Sequence, residues 1–308
     1  MPIPIITVST ATQRPAGIAV SLQYFPENLG GFVRYRVADA MDTPLADELR
    51  AIAGGNPLDN FKVQGLPDVS QIKSITMGMN RVDLSSGFNR MRNRSMSDGL
   101  IVVRLTTSFD PTSHGTNGED HGGQTIYRTG AMSMWCPDAT TIVAGPRTQV
   151  TEAIDRGGQE FRFRHFDFAN VGHHVTMVVA ENATRGTDKS PGRPSGMAAL
   201  DTLATSANKN LQGVCLGLSL STGVDADVQL LCFGSSEATA LKGDIDSGIS
   251  QLKQLVSSNP MLAQVASLAN ELFDRLQTTQ SGRSIHMSLS IDKSMIDRIK
   301  QMARGPIR

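Results

Sequence analysis

The chain has 308 residues, enough for two domains or one large one. Its 29 basic and 29 acidic residues balance, so no net charge attracts nucleic acid or an anionic membrane. Three cysteines are too few for a disulfide scaffold, and no apolar run approaches the roughly 20 residues of a membrane-spanning helix. The Pro-rich start at residues 1–6 does not resemble a signal peptide. The compartment stays open, with a periplasmic or envelope location expected if an export signal has been removed.

The first half of the chain alternates short strands with short helices. Apolar residues at every second position predict strands over 18–22, 31–37, 71–79, 100–109, 125–128, 131–135 and 141–144. Capping residues and prolines at the first helical position predict helices over 43–53, 57–63 and 146–156.

Two polar segments of this half could bind a ligand. Residues 80–98 carry Arg81, Arg90, Arg92 and Arg94, and are interpreted as a solvated loop, with anion binding as the alternative. A second group consists of four metal-competent side chains in a Gly-rich stretch, His114, Glu119, Asp120 and His121. Their spacing matches no fixed ligand pattern such as His-Glu-x-x-His, so a surface loop is the preferred interpretation.

The second half begins with an aromatic stretch, 161–168, in which Phe alternates with Arg and His. An edge strand with one apolar face is favoured over a base-stacking platform, because the chain is not basic. His173 and His174 then lead into a strand ending at Ala180. Adjacent residues of a strand point to opposite faces, so these two imidazoles are not expected to share a metal. A linker and a helix over 197–203 follow.

The strongest element is a hairpin over 213–233. Its first arm alternates through Val214, Leu216, Leu218 and Leu220, and Gly223 in the turn is expected to supply positive φ. A turn centred between Gly223 and Val224 would place Cys215 opposite Cys232, near enough for a disulfide. Two small apolar core side chains are the favoured interpretation, and the sequence leaves open whether the two are bonded. Helices over 236–256 and 261–276, a strand over 285–291 and a helix over 292–302 complete the chain.

Several of these segments together resemble a loose group of uncharacterised planctomycete proteins, often exported or membrane-anchored. The similar stretches run over most of 31–302 and include Phe32-Val-Arg-Tyr-Arg36, Leu66–Thr76, the strand at Leu100, Thr125–Arg128, Thr141–Arg147 and Ser284–Ile291. The resemblance lies in strands and turns rather than in a chemical motif. It implies a non-enzymatic module and carries over no catalytic residue.

The sequence as a whole predicts an α+β fold. Two tandem units, residues 17–158 and 159–303, would each contain a mostly antiparallel sheet with helices packed on one face. The two halves share this pattern without residue-level identity.

No nucleophile elbow, phosphate loop or dinucleotide motif occurs, so no catalytic, cofactor-binding or metal-binding residue is assigned and no cofactor is expected. The leading hypothesis is a non-enzymatic structural or protein-interaction module of the cell envelope, with protein partners. The sequence does not predict its oligomeric state. One alternative, motivated by 14 Met residues, is a protein that binds an apolar ligand between helices and sheet. The other is a metal-dependent hydrolase using His114 and His121.

Overall fold

Among the residues that the structure describes, twelve strands form one antiparallel sheet. The computed structural model describes residues 22–46, 67–79, 99–114, 118–129, 132–157, 166–180, 203, 205–207, 209–259 and 263–304. In chain order the strands are β1 (Gly31–Tyr35), β2 (Ile72–Met79), β3 (Ile101–Leu105), β4 (Gly118–His121), β5 (Gln124–Thr129), β6 (Met132–Asp138), β7 (Thr141–Gly145), β8 (Val175–Ala180), β9 (Leu211–Leu220), β10 (Val224–Cys232), β11 (Gln277–Ser281) and β12 (Ser284–Ile291). Their order across the sheet is β11-β12-β10-β9-β8-β1-β2-β3-β7-β6-β5-β4.

Helices pack against strands of both the N-terminal and the C-terminal half of the sheet. They are α1 (Val37–Met41), α2 (Arg147–Asp155), α3 (Ser235–Ser258), α4 (Ala263–Arg275) and α5 (Lys293–Arg304), with 3-10 turns at Val69–Gln71 and Pro111–His114. The predicted α+β class with a large antiparallel sheet is therefore confirmed. Among the described helices, none is long and apolar enough to cross a bilayer.

The strands of the two predicted units meet in the middle of this sheet. β1 pairs with β8 from Gly31 opposite Val179 to Tyr35 opposite Val175. Hydrogen bonding is thus continuous from β4 at one edge to β11 at the other. The division into two tandem units stays a prediction.

The two faces of the sheet bury separate apolar clusters, because successive side chains of a strand point to opposite sides. Val102 of β3 packs in a cluster with Val150 and Ala153 of α2, and this side is called the α2 face. Val103 packs on the other side, together with Val37 of α1. The register carried across β8 and β9 places Val214 on this second side, called the α3 face because helix α3 covers it there.

In the C-terminal half the cover comes from the helical hairpin α3–α4. Ala238, Leu241 and Ile245 of α3 are buried against Leu230 of β10 and Ile285 of β12. These α3 residues recur every three or four positions, as predicted for an amphipathic helix on a sheet. The Lys253–Asp274 ion pair, with a 2.7 Å N–O distance, joins the exposed sides of α3 and α4.

The predicted hairpin is confirmed as β9–β10, but its register differs from the expected one. Leu220 pairs with Val224, so the turn is centred on Thr222 and Cys215 lies opposite Gln229. Cys232 lies opposite Leu211 and packs on the α3 face, whereas Cys215 packs on the α2 face. The cross-strand placement of the two cysteines was wrong, and all three cysteines are free thiols.

Gly223 serves this turn for a steric reason. It is not among the glycines with positive φ, so that prediction was wrong. A Cβ at Gly223 would lie 2.4 Å from the carbonyl oxygen of Ile291. The position therefore needs glycine because the end of β12 approaches the turn closely.

Two edge strands depart from the sequence prediction. Residues 118–121, expected to be loop, form β4 and pair with β5 through a turn at Gly122 and Gly123, whose φ values are 60° and 80°. Two consecutive positive φ values are typical of a type I′ hairpin turn. At the opposite edge, β11 consists of Gln, Thr and Ser, so no alternation of apolar residues indicates a strand in the sequence.

Several predicted elements lie outside the described residues. These are the strand over 18–22 except Leu22, the helix over 43–53 beyond residue 46, the helix over 57–63, the loop over 80–98 and most of the helix over 197–203. Of the predicted strand 161–168 only 166–168 are described, and they form a turn. Phe166 is buried there, with its ring centroid 5.2 Å from that of Phe32, so it is a packing residue.

Candidate functional site

Polar side chains converge on the α2 face of the C-terminal strands. His173 lies just before β8, Ser219 is on β9, Asp227 on β10 and His286 on β12. The strand register explains the grouping. Asp227 pairs with Gly217 of β9, two residues from Ser219, and with Ser288 of β12, two residues from His286. Residues two apart in a strand share a face. These four side chains are called the histidine cluster. They come from four neighbouring strands or their ends, in the order β8, β9, β10 and β12.

His173 is seated against the backbone of Gly217. A Cβ at Gly217 would lie 2.1 Å from Cδ2 and 2.4 Å from Nε2 of the His173 ring. The missing side chain therefore provides the space in which the imidazole is buried, at 7% exposure. From this position Nδ1 lies 2.9 Å from the Ser219 hydroxyl, and Nε2 lies 3.6 Å from Oδ2 of Asp227.

Asp227 lies between two imidazoles. Its Oδ1 is 3.2 Å from Nε2 of His286, while its Oδ2 faces His173. The carboxylate is partly exposed and the His286 ring is exposed, so this side of the cluster is in contact with solvent. The cluster is thus buried at His173 and open at His286.

Burial lowers the pKa of His173, because desolvation penalises the charged ring. Asp227 acts against this effect and His286 adds to it. A ring with a pKa below its ordinary value of about 6.5 is neutral at pH 7 and has one N–H donor and one acceptor nitrogen. The roles in the contact between Nδ1 and Ser219 depend on the tautomer: with the ring proton on Nε2, toward the negative charge of Asp227, Nδ1 accepts a hydrogen bond from the Ser219 hydroxyl.

This arrangement differs from the triad of serine hydrolases. In those enzymes Ser meets Nε2 and Asp meets Nδ1, whereas here the two nitrogens are exchanged. The 3.6 Å separation between His173 and Asp227 also exceeds hydrogen-bond length. The geometry supports a network that anchors the segment before β8 to β9 and β10.

His174 engages a different group from His173. Its Nδ1 accepts a hydrogen bond from the backbone N–H of Leu220 at 2.9 Å. Burial lowers the pKa of His174, and the neighbouring Arg36 lowers it further. The adjacent imidazoles therefore stabilise two separate contacts rather than a shared ligand.

Two of the side chains suggested for a metal-dependent hydrolase, His121 and Glu119, are engaged in ion pairs at the β4 edge. Nε2 of His121 lies 2.8 Å from Oδ1 of Asp155 in α2, and Glu119 pairs with Arg147 at the start of the same helix. His114 ends a 3-10 turn. Across the described ranges, no group of three or more His, Cys, Asp or Glu side chains is arranged to hold a metal ion.

Searches against protein families and curated proteins give no match. Among solved structures, crystal forms I, III and IV of TP0453 match the chain with TM-scores of 0.44, 0.45 and 0.43 and identities of 10%, 9% and 10%. The matches cover 92%, 92% and 91% of this chain and 96%, 98% and 96% of TP0453. Likeness at this level carries no conclusion about function.

The cysteines are not activated nucleophiles. Burial raises the pKa of Cys136 to about 12, with a smaller contribution from Asp138. Burial likewise raises the pKa of Cys215 to about 11 and raises that of Cys232. All three are therefore thiols at neutral pH, whereas the thiolate is the reactive form.

The opposite side of the sheet carries a second candidate surface, called the apolar strip. It consists of partly exposed apolar side chains on the α3 face, between the cluster under α1 and the cluster under α3: Val33, Met77, Val175, Met177, Leu216, Leu218, Ala226 and Leu289. Register places them in two rows, because Met77, Val33, Met177 and Leu216 are successive partners, as are Val175, Leu218, Ala226 and Leu289. Leu218 is the most exposed, at 42%.

The sequence assigned no residue of either surface to a site, although His173 was considered as a metal ligand and the methionines suggested apolar-ligand binding. Gly217 was a usable signal for the histidine cluster, since a glycine inside a strand often marks close approach of another group. The apolar strip was visible only as alternation, which does not distinguish a covered face from a partly exposed one.

Proposed function

We propose that the chain is a non-enzymatic module that binds a protein partner through the apolar strip. The observation that carries the proposal is the alignment of eight partly exposed apolar side chains in two rows. Single exposed apolar residues are ordinary on protein surfaces, whereas contiguous ones mark interaction sites. Met77 and Met177 suit such a site because unbranched thioether side chains adapt to a partner's shape.

The state of the reactive groups supports the non-enzymatic part of the proposal. His121 and Glu119 are held in ion pairs, and His173 is held between Ser219 and Asp227. The thiol pKa values are raised, which suppresses thiolate chemistry.

A photo-crosslinking residue at position 218, introduced in the native cells, tests the proposal. The matched control places the same residue at Ser290, which is also exposed but lies on the α2 face. We expect a discrete protein adduct, with a defined mass, from position 218 and none from position 290. Equal adducts from both positions, or none from position 218, would contradict the proposal.

The same strip also favours the second candidate function, binding of an apolar small molecule. The methionines in the strip provide the adaptable lining that such a ligand needs. Native mass spectrometry of the purified chain separates the two candidates. A co-purified apolar molecule that is lost in a Leu218→Asp variant supports the ligand, whereas a mass equal to that of the chain alone contradicts it.

We also propose a cell-envelope location, supported only by the resemblance to exported planctomycete proteins. Cell fractionation with an antibody to the chain tests it. Recovery of the chain in the envelope or periplasmic fraction is expected, and recovery only with cytosolic markers would refute this location.

A further inference from the structure

Arg34 occupies the centre of the sheet between two threonines. Thr76 of β2 and Thr176 of β8 are its direct partners in the register, so all three side chains point to the α2 face. Directly opposed residues have Cβ atoms about 4.5–5.5 Å apart, which brings both hydroxyl groups beside the Arg34 side chain.

Each of these three side chains has an unused polar atom. Among the described residues, Nε of Arg34, Oγ1 of Thr76 and Oγ1 of Thr176 are buried without a hydrogen-bond partner. Thr76 is 1% exposed and Thr176 is fully buried. Buried polar groups are nearly always hydrogen-bonded, so three unsatisfied neighbours on adjacent strands require an explanation.

The charge of Arg34 is only partly compensated. Within the described residues its guanidinium makes no ion pair, and the carboxylate that acts on it, Asp39, is already bound to Arg36 at 2.6 Å. Burial lowers the pKa of Arg34, and the positive charge of Arg36 lowers it further. Partial burial of a cation that has no ion-pair partner of its own is unfavourable, and an anion beside it offsets that cost.

We propose that Arg34, Thr76 and Thr176 form a binding site for an oxyanion, the carboxylate or phosphate group of a small molecule. The Nε–H of Arg34 and the two hydroxyl groups are donors, and an oxyanion supplies only acceptors, so the hydrogen-bonding groups match. A metal cation is unsuited because Arg34 repels it and cannot ligate it. Arg36 adds positive potential while its own donors are occupied by Asp39 and the Gly172 carbonyl oxygen.

This site is independent of the apolar strip, which lies on the other face of the sheet. It is also distinct from the histidine cluster, although the same row of pairs leads from Thr176 through Gly217 to Asp227. The negative charge of Asp227 disfavours an anion at that end of the row. The ligand's charged group is therefore held at the centre of the sheet.

Titrations of the 308-residue chain with sodium phosphate and with sodium acetate, at constant ionic strength made up with sodium chloride, test the proposal. Two readouts are followed: the melting temperature and the Nε–Hε NMR cross-peak of Arg34. We expect the melting temperature to rise and the cross-peak to shift with one or both oxyanions. A response to phosphate alone assigns a phosphate ligand, and a response to acetate alone assigns a carboxylate.

Three variants assign the response to the site. Arg34→Gln should abolish it, and Thr176→Val, which removes one hydroxyl at equal volume, should weaken binding by about tenfold. Arg128→Gln is the matched control, because Arg128 is an exposed strand arginine and its loss changes the net charge equally. An equal response in Arg34→Gln, or no movement of the wild-type Arg34 cross-peak with either oxyanion, overturns the proposal even if a variant fails to fold.

Discussion

Replacing Gly217 with alanine tests how the histidine cluster is built. The new Cβ would lie 2.1 Å from Cδ2, 2.4 Å from Nε2 and 2.6 Å from Cγ of His173, so the entire ring must move. The ring is buried and bound to Ser219, so it cannot simply rotate into solvent.

The expected cost follows from three contributions. Overpacking a buried site costs about 1–3 kcal/mol, and losing the contact with Ser219 costs about 1 kcal/mol. Alanine is favoured over glycine inside a strand by about 0.5–1 kcal/mol, which offsets part of this. The free energy of unfolding should therefore fall by about 2 kcal/mol, within the usual range for overpacked positions.

Urea unfolding followed by the fluorescence of Trp135, the single and buried tryptophan, measures this change. In a His173→Ala background the same substitution should become neutral or stabilising, because no ring occupies the space. Gly243→Ala is the control: a Cβ there meets nothing within 4 Å in helix α3, so alanine should stabilise by about 1 kcal/mol. A Gly217→Ala cost below about 0.5 kcal/mol, or an unchanged cost without His173, would refute this account.

Three further predictions concern ionisation. The pKa of His173 is lowered in the folded chain, so protonation favours the unfolded chain. Below about pH 6.5 the free energy of unfolding should therefore fall more steeply with pH in the wild type than in His173→Gln. Equal slopes of this free energy against pH, measured by urea unfolding, would contradict the prediction. Hydrogen bonds from Ser294, Met295 and Arg275 lower the pKa of Asp292, so Asp292→Ala should reduce the melting temperature at pH 7 but progressively less below about pH 4. A difference that stays constant with pH would argue against a stabilising role of these hydrogen bonds. The three thiols should react with a chromogenic disulfide reagent only after unfolding, and one rapid equivalent in the native protein would show an activated cysteine.

Elements with regular apolar spacing were predictable because burial of one face imposes that spacing. The hairpin β9–β10, helix α3 and strand β12 all follow from alternation or from a three-to-four-residue repeat. The register of the hairpin was not predictable, since it depends on which turn residue lies at the centre. An error of that kind moved Cys215 and Cys232 from one shared face to opposite faces.

Edge strands were missed for the opposite reason. Gly118–His121 and Gln277–Ser281 are polar, because an edge strand with little buried surface needs no apolar face. Their backbones are held by pairing with β5 and β12, and that pairing leaves little trace in the composition of the strand itself.

By itself the amino-acid sequence determined the class of the fold, because local periodicity records which side of each element is buried. Only the tertiary structure decided the strand order, and with it the neighbours of each polar side chain. His173 meets Asp227, and Arg34 meets Thr76 and Thr176, because strands far apart in the chain lie side by side in the sheet. Such meetings depend on long-range pairing, which local spacing along a chain does not encode.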